Sequence, residues 1–206
     1  MQQKHILLST GNEGVQLFFL LSGFLITHLL IKEIDKHGHI SIFNFSMRRA
    51  LRIFPLYYLV LFLYCILVFV IEKNSPVGTE FWNNLPYFLS YTSNIFVPLE
   101  GERVIFYFSW SLATEEQFYL VWPLLLNLLH RKTAYYFIAT SIILIICTQF
   151  FATFFVINTV MQFIACLPIT IFLGVFVAMT LNSKKGYHFI TKFFTFKYSI
   201  HLFSIL

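Results

Sequence analysis

The chain has 206 residues, 58% of them hydrophobic and 11% charged, with a formal net charge of +5; its mean hydropathy is +0.76. A water-soluble domain carries about a quarter of its residues as charges, so this composition excludes that class. The apolar residues fall in long blocks rather than on one stripe of each helix, which marks an integral membrane protein.

A span needs about 20 predominantly apolar residues. The chain opens with a polar stub, MQQKHILLSTGNE, which carries His5, Asn12 and Glu13. The first span follows at residues 14–31, interrupted only by Gln16, Ser22, Thr27 and His28. The second covers residues 53–71. Residues 85–99 are apolar but short and contain Pro86 and Pro98. The next span is 117–129. From Thr133 to Ser183 there are 51 residues without Asp, Glu, Lys or Arg. As a helix, that run is roughly twice the thickness of a bilayer. It therefore reads as two spans, 134–157 and 160–181, with a turn near Asn158-Thr159. The expected fold is all-α and polytopic, because lipid offers the backbone no other partners. It has about five transmembrane helices and forms a single transmembrane domain over residues 1–206. Both ends read as cut: the stub runs straight into a span, and FFTFKYSIHLFSIL stops while still apolar.

Charge orients these spans. If residues 85–99 do not cross, one side holds Lys32, Lys36, Arg48, Arg49, Arg52, Arg131, Lys132, Lys184, Lys185, Lys192 and Lys197, and the other holds Lys4, Lys73 and Arg103. Eleven of the fourteen positive charges on one side is the bias expected of the cytoplasm. Residues 85–99 are therefore expected to be re-entrant or interfacial. Topology also accounts for the positive charge without a nucleic-acid partner. Cys65, Cys147 and Cys166 fall within spans and show no metal-ligand or disulfide spacing, so they read as buried apolar thiols and no metal is expected.

Three stretches carry candidate chemistry. In FSMRRALRIFPLYY, Arg48 and Arg52 share one helix face and Arg49 is displaced around the axis. Pro55 is expected in the first turn of the following span. The arginines are either interfacial anchors or a clamp for a phosphate-bearing ligand, whose oxygens guanidinium forks bind bidentately. In WSLATEEQFYLVWP, Ser111 is expected to cap a helix whose first turns hold Glu115 and Glu116. Acids near a helix start are favoured by the backbone dipole. Two adjacent carboxylates cannot both avoid lipid, however, so at least one faces the interior as a functional candidate. His5 is either an ordinary interfacial histidine or a general base oriented by a carboxylate.

Three motifs, GVQLFFLLSGFLIT at 14–27, FSMRRALRIFPLYYL at 45–59 and WSLATEEQFYLVWP at 110–123, resemble successive motifs of the membrane acyltransferase 3 family. FLGVFVAM at 172–179 is similar to a fourth. The resemblance implies an O-acyltransferase of the bacterial inner membrane. Such an enzyme takes an acyl group, often acetyl, from cytoplasmic acyl-coenzyme A (acetyl-CoA) and delivers it to a hydroxyl of a cell-surface carbohydrate or similar acceptor. It implies that His5 is the general base, that Glu115 and Glu116 act at the site of transfer, and that Arg48, Arg49 and Arg52 hold the coenzyme. Trp110, Ser111 and Tyr119 would then line the acceptor site. The chain departs from the family pattern in having no arginine upstream of His5, no charge before the LG of the fourth block, and only an echo, KYSIHLFSI, of a C-terminal block. The alternatives are an inactive or regulatory member of that family and a proton-coupled transporter. The long uncharged run argues against the transporter.

Overall fold

The structure is a computed structural model that describes residues 2–73, 75–97, 104–154, 167–183, 186–188 and 192, with side chains described between residues 13 and 152 and at the later positions. Seven helices occur among these residues: α1 Gln2–His37, α2 Ile42–Ile71, α3 Pro76–Leu89, α4 Ser93–Phe96, α5 Ser109–Leu128, α6 Arg131–Phe154 and α7 Ile169–Leu181. No strand occurs among the described residues. The chain is an all-α, multi-pass membrane protein.

Three stretches are long and apolar enough to cross a bilayer: Glu13–His37 of α1, Ile42–Ile71 of α2 and Arg131–Ala152 of α6. The other two expected spans differ. α5 has 20 residues, but Glu115, Glu116 and Gln117 stand in it before its apolar half begins. α7 is described for only 13 residues, and the expected turn at Asn158-Thr159 lies outside the described residues. Residues 85–99 do not form one helix. α3 ends at Leu89, Tyr91 takes a left-handed backbone, and α4 is a single turn. α3 itself, with 14 residues, is about 21 Å long and falls short of a bilayer core.

Two further expectations are corrected. α2 begins at Ile42, so Pro55 lies deep in the helix rather than in its first turn, and the arginines and the span share one continuous helix. The interior proline removes one backbone donor and favours a kink there. Cys147 is exposed on α6, whereas Cys65 is half-buried and packs against the aromatic core of residues 57–113, so only Cys147 departs from a buried thiol. Cys166 lies outside the described residues.

The chain forms two compact units, residues 1–39 with 126–206, and residues 40–125. In the first, α1 packs closely on α7, and α6 packs on α7. The α1–α7 crossing is set by two glycines. A Cβ on Gly23 would strike the carbonyl oxygen of Ile171, and one on Gly174 would strike the carbonyl oxygen of Leu20. Small residues that let backbones touch are a common way for helices to associate in lipid, where burying apolar area gives little driving force. Two polar pairs clamp the crossing: Thr170 donates to Gln16 Oε1 at 2.7 Å, and Asn182 Nδ2 lies 3.0 Å from His28 Nδ1. Tyr135 of α6 meets Phe176 of α7 at 5.1 Å between ring centroids. Arg131 pairs with Asp35 at 2.6 Å, but both are exposed, so the pair contributes at most about 1 kcal/mol.

In the second unit the core is aromatic, built from Tyr57, Phe81, Phe88, Tyr91 and Phe106 with Leu61, Val68, Val97 and Ala113. Ser75 caps α3 by accepting the amide of Gly78 at 3.0 Å. At the other end of α3, the last carbonyls have no intrahelical partner. Two tyrosines of α2 serve them: Tyr57 donates to the carbonyl of Phe88 at 2.7 Å, and Tyr58 to that of Leu89 at 3.0 Å. This fixes where α3 ends, and so where Tyr91 begins the next loop.

Candidate functional site: a buried acidic pair beside Arg49

Glu115 and Glu116 are both buried, at 2% and 8% exposure. They sit two turns into α5, before its apolar half. Successive residues on a helix point about 100° apart, so the two carboxylates meet different neighbours. Glu115 accepts a hydrogen bond from Tyr119, one turn on, at 3.0 Å. Glu116 feels the charge of Arg49, and its own charge acts on the Tyr91 phenol. Its Oε1 is buried and has no hydrogen-bond partner among the described residues, and the same is true of the Tyr91 hydroxyl.

Arg49 is the cation of this site. Its guanidinium stands over the Tyr119 ring at 5.2 Å from the centroid and over the Phe45 ring at 5.8 Å. Cation–π contacts of this kind hold a guanidinium in place while leaving its donors available. Burial pushes the Glu116 carboxyl up to about 7, the neighbouring Glu115 pushes the same way, and Arg49 pulls it back. Burial, and then the charges of Tyr57 and Glu116, hold the Tyr91 phenol well above its usual range. Among the described residues the site therefore brings together two acids, the Arg49 cation and the phenols of Tyr91 and Tyr119, in a space where charge is expensive. Such clustering of perturbed groups is characteristic of functional sites.

The loop that carries Tyr91 is fastened to α5. Gln117 donates from Nε2 to the carbonyl of Tyr91 and to Oδ1 of Asn94, both at 3.0 Å, and accepts from Asn94 Nδ2 at 3.0 Å. Ser109, at the start of α5, donates to Ser93 at 3.1 Å, with both hydroxyls buried. Gln117→Leu is expected to leave a carbonyl and an amide unserved at a cost of roughly 1–3 kcal/mol, read as earlier thermal unfolding of the purified protein. An unchanged unfolding midpoint would contradict this fastening.

Tyr91 and Phe106 both adopt positive φ, +53° and +65°. Bulky residues are rarely found there, and each such residue costs on the order of 1–3 kcal/mol. Both pack on Tyr57, with ring centroids 4.2 and 5.4 Å away. The strained backbone is thus over-determined by the aromatic core next to the acidic pair.

The sequence-derived candidates divide as follows. Glu115, Glu116, Arg49 and Tyr119 come together. Arg48 and Arg52 are exposed on α2, whereas Arg49 is half-buried. Ser111 lies inside the first turn of α5 and donates to the carbonyl of Phe108 at 2.9 Å, so it does not cap the helix; α5 begins at Ser109. The Trp110 ring meets Tyr107 at 6.5 Å. His5 lies on α1, but its side chain is outside the described residues. Tyr91, Asn94 and Gln117 were not anticipated. Gln117 adjoins the glutamates in the sequence and was visible there as a polar residue at the head of a span. Tyr91 gave no such signal. Among the described residues, no cluster of three His, Cys, Asp or Glu side chains is placed to hold a metal.

The second unit therefore presents a buried acid pair, with a guanidinium and two phenols beside it, inside a helical membrane protein. The chain belongs to the acyltransferase 3 family, whose profile, described as an acyltransferase domain, matches residues 2–196. It is similar to the O-acetyltransferase OatA of Staphylococcus aureus strain NCTC 8325 / PS 47, with 38% identity over 135 residues. That match covers 60% of this chain and 22% of the OatA chain. OatA of Staphylococcus aureus strain COL matches to the same extent. The matched part is thus about a fifth of the length of those curated relatives. No solved structure matches the chain.

Proposed function

We propose that this chain is the membrane part of an O-acyltransferase of the bacterial inner membrane. It moves an acyl group, acetyl in the first instance, from cytoplasmic acyl-coenzyme A to a hydroxyl of a cell-surface carbohydrate or a similar acceptor. The observation that carries this reading is the buried Glu115–Glu116 pair, with Arg49 over the ring of the Tyr119 that bonds Glu115, in a chain of this family. The printed names of the OatA relatives, O-acetyltransferases, support acetyl as the group transferred.

In the transfer, the acceptor oxygen attacks the thioester carbonyl carbon, the C–S bond breaks, and the hydroxyl proton passes to a base while the departing thiolate takes up a proton. His5 is the proposed general base. Glu116 holds the acceptor hydroxyl. Glu115, positioned by Tyr119, supplies the second negative charge, which orients the base or the acceptor. Arg48 and Arg52, exposed and four residues apart on α2, are the pair suited to the donor's phosphates. Arg49, whose guanidinium stands over the Tyr119 ring beside the acidic pair, is proposed to act there. Trp110 and Ser111 line the approach to α5.

The test is acetyl transfer from radiolabelled acetyl-coenzyme A by the purified protein in lipid nanodiscs. The double variant Glu115→Gln, Glu116→Gln is expected to lose about 10²- to 10⁴-fold in turnover, the range of positioned acid–base groups. Full turnover in a folded double variant would remove the carboxylates from the mechanism.

A further inference from the structure

We propose that the Tyr91 hydroxyl and Glu116 Oε1 together form the binding subsite for the acceptor's reacting hydroxyl group, with the acceptor donating to Glu116 and accepting from Tyr91. The subsite rests on the acyl-transfer reading and adds a residue and a ligand chemistry to it.

Both atoms are buried and have no hydrogen-bond partner among the described residues. Tyr91 is 7% exposed and Glu116 8%. Leaving two such groups unserved costs on the order of 1–3 kcal/mol each. They are close enough for the charge of Glu116 to act on the phenol, yet they do not hydrogen-bond to one another. An ionised carboxylate only accepts, whereas a phenol both donates and accepts. A group that gives a proton to Glu116 and takes the one Tyr91 offers donates once and accepts once, as an alcohol hydroxyl does and as a water would in its absence. A carbonyl has no proton for Glu116, and an ammonium cannot take the proton of Tyr91.

The phenol is also held still. Its ring stacks on Tyr57 at 4.2 Å and on Phe54 at 5.2 Å. Its backbone is in the left-handed region, and its carbonyl is tied to Gln117, the neighbour of Glu116 on α5. The residue that carries the carboxylate and the residue that anchors the phenol are therefore consecutive. A subsite needs this kind of support if its two walls are to keep their spacing.

Tyr91→Phe keeps the ring stack and removes only the hydroxyl. In nanodiscs, with labelled acetyl-coenzyme A as donor and methyl α-D-glucopyranoside as acceptor, the variant is expected to raise the acceptor KM by roughly three- to tenfold, the value of one hydrogen bond. The donor KM should stay where it is. An unchanged acceptor KM, or equal changes in both, overturns the subsite. If the parent protein transfers nothing, the acyl-transfer reading fails and the subsite is judged by infrared spectroscopy instead. The antisymmetric carboxylate stretch of ionised Glu116, assigned by its loss in Glu116→Gln, should shift when the glucoside is added to the parent and not when it is added to Tyr91→Phe. No shift in the parent means that water alone occupies the space, and it overturns the proposal.

Discussion

Gly174→Ala is expected to lower the thermal unfolding midpoint of the detergent-solubilised protein by several degrees, on the order of 1–3 kcal/mol of overpacking. The added methyl has no space to enter. It meets the carbonyl oxygen of Leu20 and stands 2.8 Å from the amide nitrogen of Phe24, both backbone atoms that cannot rotate away. Relief requires α1 and α7 to separate. Separation stretches the Thr170–Gln16 and Asn182–His28 bonds at the two ends of the contact. Gly14→Ala, on the partner helix α1, supplies the control. Nothing lies within 4 Å of a Cβ at Gly14, so alanine there should be neutral or stabilising by about 0.5–1 kcal/mol through helix propensity. Gly23→Ala should resemble Gly174→Ala, and the double variant should cost less than the sum, because once the helices part both methyls have room. Equal midpoints for Gly14→Ala and Gly174→Ala would mean that the α1–α7 crossing has room for the added methyl.

The same two glycines show how far the sequence could be read. Gly23 belongs to LSGFLIT and Gly174 to FLGVFVAM, blocks noticed separately by their resemblance to family motifs. Their pairing across some 150 residues was not visible, because hydropathy treats a lipid-facing methyl and an interhelical one alike. The spans themselves were legible for that reason: α1, α2 and α6 are simply apolar for long enough. Where an element departed from that rule, the reading slipped. α2 starts at Ile42 because FNFSMRRALR has good helix formers, so the polar arginine turn joined the apolar helix without a break and put Pro55 in its interior. The glutamates were recognised because carboxylates in such a setting are costly wherever they point. Their partner was not: the sequence shows Arg49 turned about 100° from Arg48, but only the packed aromatics Phe45 and Tyr119 determine where that turn leads. Tyr91 left no trace because one tyrosine among eleven has no signature until its hydroxyl is found without a partner.

Arg49→Gln tests the electrostatic heart of the site. Burial and Glu115 raise the Glu116 carboxyl, and Arg49 opposes them to leave it at about 7. Removing the guanidinium removes the influence that favours the ionised form, so the titration moves to higher pH. The sign for stability follows. A carboxyl raised in the folded state above its unfolded value of about 4.3 opposes folding once it ionises. Its favourable contribution is complete below that unfolded value and is lost as pH rises through about 7 in the parent. In Arg49→Gln the loss occurs at still higher pH. For transfer the direction is the reverse. Because Glu116 must be ionised to accept the hydrogen bond of the acceptor hydroxyl, the parent's activity should climb as pH passes through about 7, and the rising limb of Arg49→Gln should lie further to the alkaline side. The infrared carbonyl band of protonated Glu116, followed against pH, measures the shift without relying on turnover. Arg48→Gln, on the exposed face of α2, should leave that band's midpoint where it is in the parent. A band that titrates identically in the parent and in Arg49→Gln would mean that Arg49 serves the Tyr119 ring alone. The acidic pair would then owe its depth in the protein to some other cation.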